Sequence, residues 1–93
     1  MYKLINAKER NLFYPNTFNR PSDKYLNRLL EGDSIKLGFE FNSPYCTGER
    51  MWVKIINKNG NEFIGLLNDT PLFIDLDYNE PIKFNADHII DIY

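Results

Sequence analysis

Residues 50–67 constrain the fold more than any other stretch, because they place two apolar runs on either side of Asn59-Gly60. Asn-Gly between apolar runs is the strongest local signal for a β-hairpin, since a two-residue type I′ turn needs positive φ at both central residues and these residue types tolerate it best. The turn also predicts the strand register. Counted outward from the turn, the predicted pairs are Lys58–Asn61, Ile56–Phe63, Ile55–Ile64, Lys54–Gly65, Val53–Leu66 and Trp52–Leu67.

The predicted hairpin is apolar on both faces, because side chains alternate across a strand. One face carries Met51, Val53, Ile55, Ile64 and Leu66. The other carries Trp52, Ile56, Phe63 and Leu67. An apolar face is stable only when a second layer buries it. We therefore expect residues 6–31, or a partner, to cover the face that contains Trp52.

The length and composition fit one small folded domain spanning residues 1–93. The chain is 43% hydrophobic and 26% charged, which is typical of a globular protein. The single cysteine, Cys46, excludes an internal disulfide and favours a reducing compartment. Residues 1–6 contain only two consecutive aliphatic residues, too few for a signal peptide or a membrane span. We expect a cytoplasmic protein that does not associate with membranes.

Two helices and an aromatic segment are predicted before the sheet. Asn6 and Glu9 have the spacing of a capping box, which predicts a helix over residues 6–12. The aromatic, proline-containing segment 11–21 suits an extended arm lying on an apolar surface. A second helix is predicted over residues 23–31, with Ser22 as its cap and Gly32 after its end. Its predicted apolar face consists of Tyr25, Leu26, Leu29 and Leu30.

From Asp33 onward the apolar residues alternate with polar ones, which predicts strands. The first strand buries Ile35, Leu37, Phe39 and Phe41. Two further strands follow the hairpin, one at Ile82 and Phe84 and one over residues 89–93, with a helical turn at 86–88 between them. Five short strands predict an α+β fold: a five-stranded curved antiparallel sheet or an SH3-like small barrel over residues 33–93, with the helical and aromatic arm of residues 1–32 packed on it.

Four segments carry a resemblance to a known family: residues 48–53, 65–71, 81–84 and 89–91. Their shared features are a Trp-Val strand, a turn from Gly65 to Pro71, and a final strand in which Ile follows Phe after four residues. Over about residues 32–93 the chain resembles a family of small bacterial domains of unknown function. The resemblance implies a bacterial α+β domain with no assigned catalysis, some relatives of which are immunity proteins of toxin systems.

The charge is unevenly distributed along the chain. Residues 1–60 contain ten Lys or Arg and six Asp or Glu, a balance of +4, whereas residues 61–93 contain one Lys and seven acids, a balance of −6. An acidic face attracts a basic partner or aids solubility. The leading hypothesis is a non-catalytic module that binds another protein, with an immunity-type inhibitor as one form of it. The oligomeric state stays open.

The candidate partner-binding residues are Asp75, Asp77, Glu80, Glu49 and Arg50. The first three lie in the acidic last third. Glu49 and Arg50 stand where the hairpin begins, so they could anchor the loop of residues 42–48 through an ion pair or line a groove.

Nucleic-acid binding is the first alternative, because small barrels often stack bases on exposed aromatic side chains. The candidate platform consists of Phe13, Tyr14, Tyr45, Trp52 and Tyr78, together with Arg50 and Lys54. The sequence pI of about 5.3 argues against it, since affinity for nucleic acid depends on clustered Lys and Arg.

An enzyme that uses Cys46 and His88 is the second alternative, but no third orienting residue or oxyanion loop accompanies the pair. We therefore expect no catalytic activity and no cofactor. Residues 75–80 resemble the start of an EF-hand loop, yet Glu80 and Ala86 stand where that loop requires Gly and Glu. The segment is then a solvated turn or a loose acidic cation site, and one His with one Cys gives no zinc site.

Overall fold

A computed structural model describes residues 1–93 as an α+β fold, in which two short helices accompany one antiparallel sheet of six strands. The strands are β1 (Lys3–Leu4), β2 (Ser34–Glu40), β3 (Gly48–Asn59), β4 (Glu62–Leu67), β5 (Pro81–Asn85) and β6 (Ile89–Ile92). The helices are α1 (Ala7–Phe13) and α2 (Asp23–Leu26), and a 3₁₀ turn (Ala86–His88) joins β5 to β6. No helix combines the length and the apolar character needed to cross a bilayer.

The sheet curves until it is nearly a barrel, because the last strand returns to the first long one. Strands β1 to β5 are neighbours in chain order, and β6 pairs with β2. Strand β2 pairs with β3 on one side, and two short strands divide its other side between them. β6 pairs with the first half of β2, where Ile35 faces Ile92, and β1 pairs with its end, where Leu4 faces Phe39. The α+β class and the small curved sheet are therefore confirmed. The additional strand, β1, has only two residues and is too short to show an alternating pattern.

The interior of the curved sheet is the main core. On β2 the predicted inward residues Ile35, Leu37 and Phe39 are fully buried, whereas Phe41 lies beyond the strand and is half-buried. On the neighbouring strands β4 and β5, the paired residues Phe63 and Phe84 stack their rings with the centroids 5.2 Å apart. Such an aromatic pair adds about 0.5–1.5 kcal/mol beyond the area it buries.

The hairpin forms, but the predicted register is wrong. Asn59 faces Glu62, so Gly60 and Asn61 are the central residues of the turn, and of these only Gly60 has positive φ, at 62°. That is the position at which a type II′ turn places Gly. A β-bulge at Ile56 then shifts the pairing again.

The observed register sorts the apolar side chains differently between the two faces. Val53 faces Leu67 and Ile55 faces Gly65, so Phe63 and Leu67 join the core instead of sharing a face with Trp52. Ile56 is 45% exposed at the bulge. A shift of one residue moves a whole set of side chains to the other face, and the register that buries both Phe63 and Leu67 is the one adopted.

The two helices differ in how well they match their predicted bounds. Helix α1 begins after Asn6, whose Oδ1 accepts a hydrogen bond from the Glu9 backbone nitrogen at 2.9 Å, as predicted. Helix α2 is much shorter than predicted, since it ends at Leu26. The chain then tightens into turns that direct Leu29 into the core beside Leu26 and leave Tyr25 and Leu30 exposed.

The arm covers a different part of the outer face than expected. Ile5, Ala7 and Phe18 pack with Ile90 in a second, smaller core. This core lies over Gly38, where an added Cβ would stand 2.5 Å from Ile5 Cδ1. Because Gly38 has no side chain, the sheet has a recess there, and Ile5 of the arm fills it.

The expectation that the arm covers Trp52 is wrong. The half-buried indole of Trp52 instead contacts the Tyr93 ring, edge to face at 5.6 Å, and Lys36. Leu12 and Phe13 at the end of α1, and Tyr14 directly after it, remain exposed.

Candidate functional site

Residues 68–80, between β4 and β5, form a closed surface loop. The Leu67 nitrogen donates to the Glu80 carbonyl at 2.9 Å, and the Asn79 nitrogen donates to the Leu67 carbonyl at 2.7 Å. The two ends of the loop are therefore held together, as in an Ω-loop, a class of compact loops that frequently has a function. We call this segment the Ω-loop. It contains three of the five candidate partner-binding residues.

The Glu49 carboxylate fixes the tip of the Ω-loop. Its Oε2 accepts a hydrogen bond from the Leu72 nitrogen at 2.9 Å, and its Oε1 accepts from the nitrogens of Phe73 at 2.8 Å and Ile74 at 3.0 Å. Hydrogen bonds to an ionised acceptor are stronger than neutral ones. Glu49 does anchor a loop, but these three bonds are to residues 72–74, whereas the sequence predicted residues 42–48.

Both ends of the Ω-loop are tied to the sheet. The Asp69 carboxylate accepts hydrogen bonds from the nitrogens of Trp52 at 3.1 Å and Thr70 at 2.9 Å, and the Asn68 nitrogen donates to the Trp52 carbonyl. The Tyr78 hydroxyl donates to the Asn68 side chain at 2.9 Å. Hydrogen bonds therefore reach the backbone of the loop along most of its length.

Side chains of the Ω-loop alternate between the core and solvent. Ile74 and Leu76 are half-buried and pack against the main core. Phe73, Asp75 and Asp77 point outward and are exposed. The inward pair attaches the loop to the sheet, so the outward residues are presented on a fixed support.

The exposed tip of the loop is apolar and aromatic. Phe73 is 48% exposed and stacks on Tyr45, which is 79% exposed, with the ring centroids 5.9 Å apart. Leu72, the neighbour of Phe73, is 77% exposed. We call Tyr45, Leu72 and Phe73 the aromatic tip. Clustered exposed apolar side chains on a folded protein are typical of interaction surfaces.

The acids beside the aromatic tip have no cationic partner within the chain. The two ion pairs of the structure are Arg10–Glu40 at 3.1 Å and Arg20–Asp23 at 3.4 Å, and neither involves an acid of residues 61–93. Asp75 and Asp77 are exposed, whereas Glu80 is half-buried and its Oε1 accepts from the Asp77 nitrogen at 3.3 Å.

Glu80 also lies close enough to Tyr2 to affect its hydroxyl group. Burial, and then the negative charge of Glu80, raise the pKa of Tyr2 above its usual value. Tyr2 also packs edge to face on the Phe39 ring of the core, at 5.0 Å. The base of the Ω-loop therefore lies near the N-terminal segment.

Four of the five predicted residues come together at the Ω-loop, and Arg50 does not. Consecutive side chains of a strand point to opposite faces, so Arg50 lies on the outer face of β3, with its guanidinium carbon 5.3 Å from the centre of the Phe18 ring. Glu49 and Arg50 form no ion pair with each other.

Sequence reasoning missed Leu72 and Phe73, although a signal was present. In the run of residues 72–76, Asp75 stands between Ile74 and Leu76. If an acid must point to solvent, alternation places Phe73 outward as well. The contact of Phe73 with Tyr45 had no local signal, because it depends on where the loop of residues 42–48 lies in the fold.

The two residues of the enzyme hypothesis occupy different surroundings. His88 Nδ1 accepts a hydrogen bond from the Asn85 nitrogen at 3.1 Å and so caps the 3₁₀ turn. Burial lowers the pKa of His88, and the nearby Asp87 carboxylate opposes that shift. Cys46 lines neither of the two cavities that His88 lines. No three or more His, Cys, Asp or Glu side chains are grouped so that they could hold a metal ion.

No two aromatic rings of the nucleic-acid hypothesis stack on each other or pack edge to face. Their recorded ring contacts are Trp52 with Tyr93 and Tyr45 with Phe73, and Tyr78 instead binds Asn68. The predicted platform of five rings is therefore not assembled by direct contact.

Comparison of the chain with protein-family models, with curated proteins and with solved structures gave no match.

Proposed function

We propose that this protein is a non-catalytic interaction module whose aromatic tip and neighbouring acids bind a basic surface of another protein. The observation that carries the proposal is the stacked pair of Tyr45 and Phe73, which is held in solvent by the hydrogen bonds of Glu49 to the loop backbone. A stacked aromatic pair in water contributes little to folding when it is left exposed, so its value lies in the contact it can make.

The fixed backbone of the Ω-loop favours tight binding. Association costs free energy for every loop that must be ordered at the interface. Here the three bonds to Glu49 and the inward packing of Ile74 and Leu76 have already ordered the loop. Large rigid aromatic side chains are also enriched at the centres of protein interfaces.

The charge of the Ω-loop indicates the chemistry of the partner. Asp75 and Asp77 lie beside the aromatic tip without a cationic partner, so a partner that presents Lys or Arg around an apolar pocket would complement both features. Opposite potentials accelerate encounter and select against wrong partners. A toxin with a basic surface is one such partner, and an immunity-type inhibitor acting in the cytoplasm is the specific form of the proposal.

Photo-crosslinking identifies the partner without assuming its identity. A benzophenone amino acid replaces Phe73, and in a matched control it replaces Leu30, which is exposed but lies outside the Ω-loop. Each protein is irradiated in a lysate of the source organism, and adducts specific to position 73 are identified by mass spectrometry. We expect a specific adduct with a protein that carries a basic patch.

The affinity for the identified protein then tests the assignment of residues. Phe73→Ala should weaken binding by about 30-fold or more, as expected for a central interface aromatic. Asp75→Asn with Asp77→Asn should slow association and reduce its dependence on salt. Glu62→Gln, an exposed acid outside the loop, serves as the charge control. Wild-type affinity in both loop variants, for every protein captured at position 73, would overturn the proposal.

A further inference from the structure

Three cationic side chains line a cavity between the arm and the outer face of the sheet. The cavity measures about 440 Å³, and Arg20 of the arm, Lys36 of β2 and Arg50 of β3 all border it. Asp91 of β6 is the only acid that does so. The charge around the cavity is thus positive, although the net charge of the chain is −2. The positive charge is therefore a local feature of this cavity and not a property of the whole protein.

The positive charges at this cavity are poorly neutralised within the chain. Lys36 and Arg50 take part in no ion pair. The Arg20 side chain is only 11% exposed, and its ion-pair partner Asp23 is 3.4 Å away and 77% exposed. The Arg20 Nε–H is buried and has no acceptor. A buried charge is costly unless an opposite charge and hydrogen bonds compensate it, so an anion in the cavity would be favourable.

Aromatic rings hold two of the three cations in place. Lys36 Nζ lies 4.5 Å from the centre of the Trp52 ring, and the guanidinium carbon of Arg50 lies 5.3 Å from the centre of the Phe18 ring. Both distances are in the range of cation–π attraction. These contacts restrict the long side chains before any ligand binds, which reduces the entropy lost on binding.

The remaining walls indicate which anion would fit. Two arginine guanidinium groups offer planar pairs of donors that match the oxygens of a phosphate. The polar residues Thr17 and Asn19 border the same space, and Phe18 and Ile90 supply an apolar wall. The volume exceeds that of one phosphate ion, which leaves room for a small organic group against the apolar wall.

We propose that this cavity binds the phosphate group of a small phosphomonoester. The inference is independent of the Ω-loop, since none of the residues at the cavity belongs to the aromatic tip or to its acids. Asp91 sets the strength of binding, because its carboxylate repels the bound anion. Replacing that carboxylate with an amide should therefore strengthen binding, which a merely structural role of the cavity would not produce.

Nuclear magnetic resonance on the full chain tests the proposal with inorganic phosphate and phenyl phosphate as probes. The ionic strength is kept constant by exchanging each probe for sodium chloride. We expect saturable shifts of the backbone amides of Asn19, Lys36 and Asp91 and of the Arg20 Nε–H. Phenyl phosphate should bind more tightly than inorganic phosphate, because its ring can contact Phe18 and Ile90. Trp52, the only tryptophan, should report the same binding through its fluorescence.

Four variants make the assignment specific. Arg50→Gln and Lys36→Gln should each weaken phosphate binding by about tenfold, as expected for the loss of one charge-assisted contact. Asp91→Asn should tighten it severalfold. Lys54 is exposed on β3, the strand of Arg50, but does not border the cavity. Lys54→Gln should therefore leave the affinity for phosphate unchanged. Amide spectra that match the wild type away from the cavity establish that each variant is folded.

Three results would overturn the proposal. Shifts that increase linearly with phosphate, or that chloride reproduces, would mean that no anion site exists. Wild-type affinity in both Arg50→Gln and Lys36→Gln would mean that phosphate binds elsewhere. Saturable binding of a labelled single-stranded oligonucleotide with no saturable binding of either phosphate probe would mean that this surface binds a nucleic-acid backbone instead.

Discussion

The Glu49 Oε1 atom lies 2.8 Å from the backbone nitrogen of Phe73 and so connects the start of β3 to the tip of the Ω-loop. The same carboxylate reaches the nitrogens of Leu72 and Ile74. A residue of the sheet thereby fixes the backbone beside a stacked pair of exposed aromatic rings. Together with the inward packing of Ile74 and Leu76, this side chain sets the position of Phe73 and of the proposed docking surface.

We predict that Glu49→Ala lowers the free energy of unfolding by about 1–2 kcal/mol, because three backbone donors lose their acceptor while remaining partly accessible to water. The amides of residues 72–74 should also exchange with solvent faster than in the wild type. Urea denaturation and hydrogen exchange measure the two effects. Glu62→Ala, at an exposed acid with no hydrogen bond through its side chain, should change the stability by less than about 0.5 kcal/mol. Unchanged exchange at residues 72–74 would contradict the anchoring role.

Local patterns predicted the strands well, because alternation needs no knowledge of distant residues. Along β2 the period of two correctly placed Ile35, Leu37 and Phe39 in the core. The cap of α1 at Asn6 is equally local, since its partner Glu9 is three residues away. The site depended on contacts that no local pattern contains: Glu49 binds backbone groups more than twenty residues further along the chain.

The hairpin depends both on a local signal, its turn residues, and on contacts with residues that are distant in the sequence. The sequence indicated a hairpin turn at Asn59-Gly60, but the turn is centred on Gly60 and Asn61, so the partners next to it differ from the prediction by two residues. The bulge at Ile56, which was missed, reduces the difference to one residue in the rest of the hairpin. The turn residues alone allow more than one two-residue turn. The choice between them was made by the burial of Phe63 and Leu67, which depends on the opposite wall of the core.

The observed turn predicts that two neighbouring substitutions differ in their effect on stability. Asn59 is the last residue of β3 and has no positive φ, so Asn59→Thr should change the stability by less than about 0.5 kcal/mol. Gly60 has φ of 62°, so Gly60→Ala should cost about 1 kcal/mol. Thermal unfolding followed by circular dichroism measures both. A cost for Asn59→Thr that exceeds the cost for Gly60→Ala would favour the type I′ turn centred on both residues.

We predict that Gly65→Ala is destabilising by about 1–3 kcal/mol, because it overfills the core. An added Cβ would overlap Val53 Cγ1 and stand 2.9 Å from the Lys54 carbonyl oxygen, and a paired backbone cannot move away easily. Urea denaturation of a double-mutant cycle with Val53→Ala tests the cause. The loss of stability in the double variant should be smaller than the sum of the two single-variant losses by about 0.5 kcal/mol or more. Strict additivity would mean that Val53 is not the obstacle.

The surroundings of His88 predict how stability depends on pH. Burial lowers the pKa of His88 in the folded chain below its ordinary value of 6.5, and its Nδ1 accepts the Asn85 hydrogen bond only while it is unprotonated. The unfolded chain therefore binds a proton more readily than the folded chain. Above about pH 6.5, the contribution of His88 to the free energy of unfolding should not change with pH. The free energy of unfolding should decrease as the pH falls from about 6.5 towards the folded-state pKa of His88.

Urea denaturation between about pH 7.5 and pH 5.5 isolates this contribution, because the carboxylates titrate mainly at lower pH. His88→Gln keeps a side-chain acceptor for the Asn85 nitrogen but cannot be protonated, so it should flatten the pH profile in this range while leaving the stability at pH 7.5 close to that of the wild type. Parallel profiles for the two proteins would show that His88 is not the group responsible. A steeper decrease in the variant would mean that the histidine pKa is raised on folding.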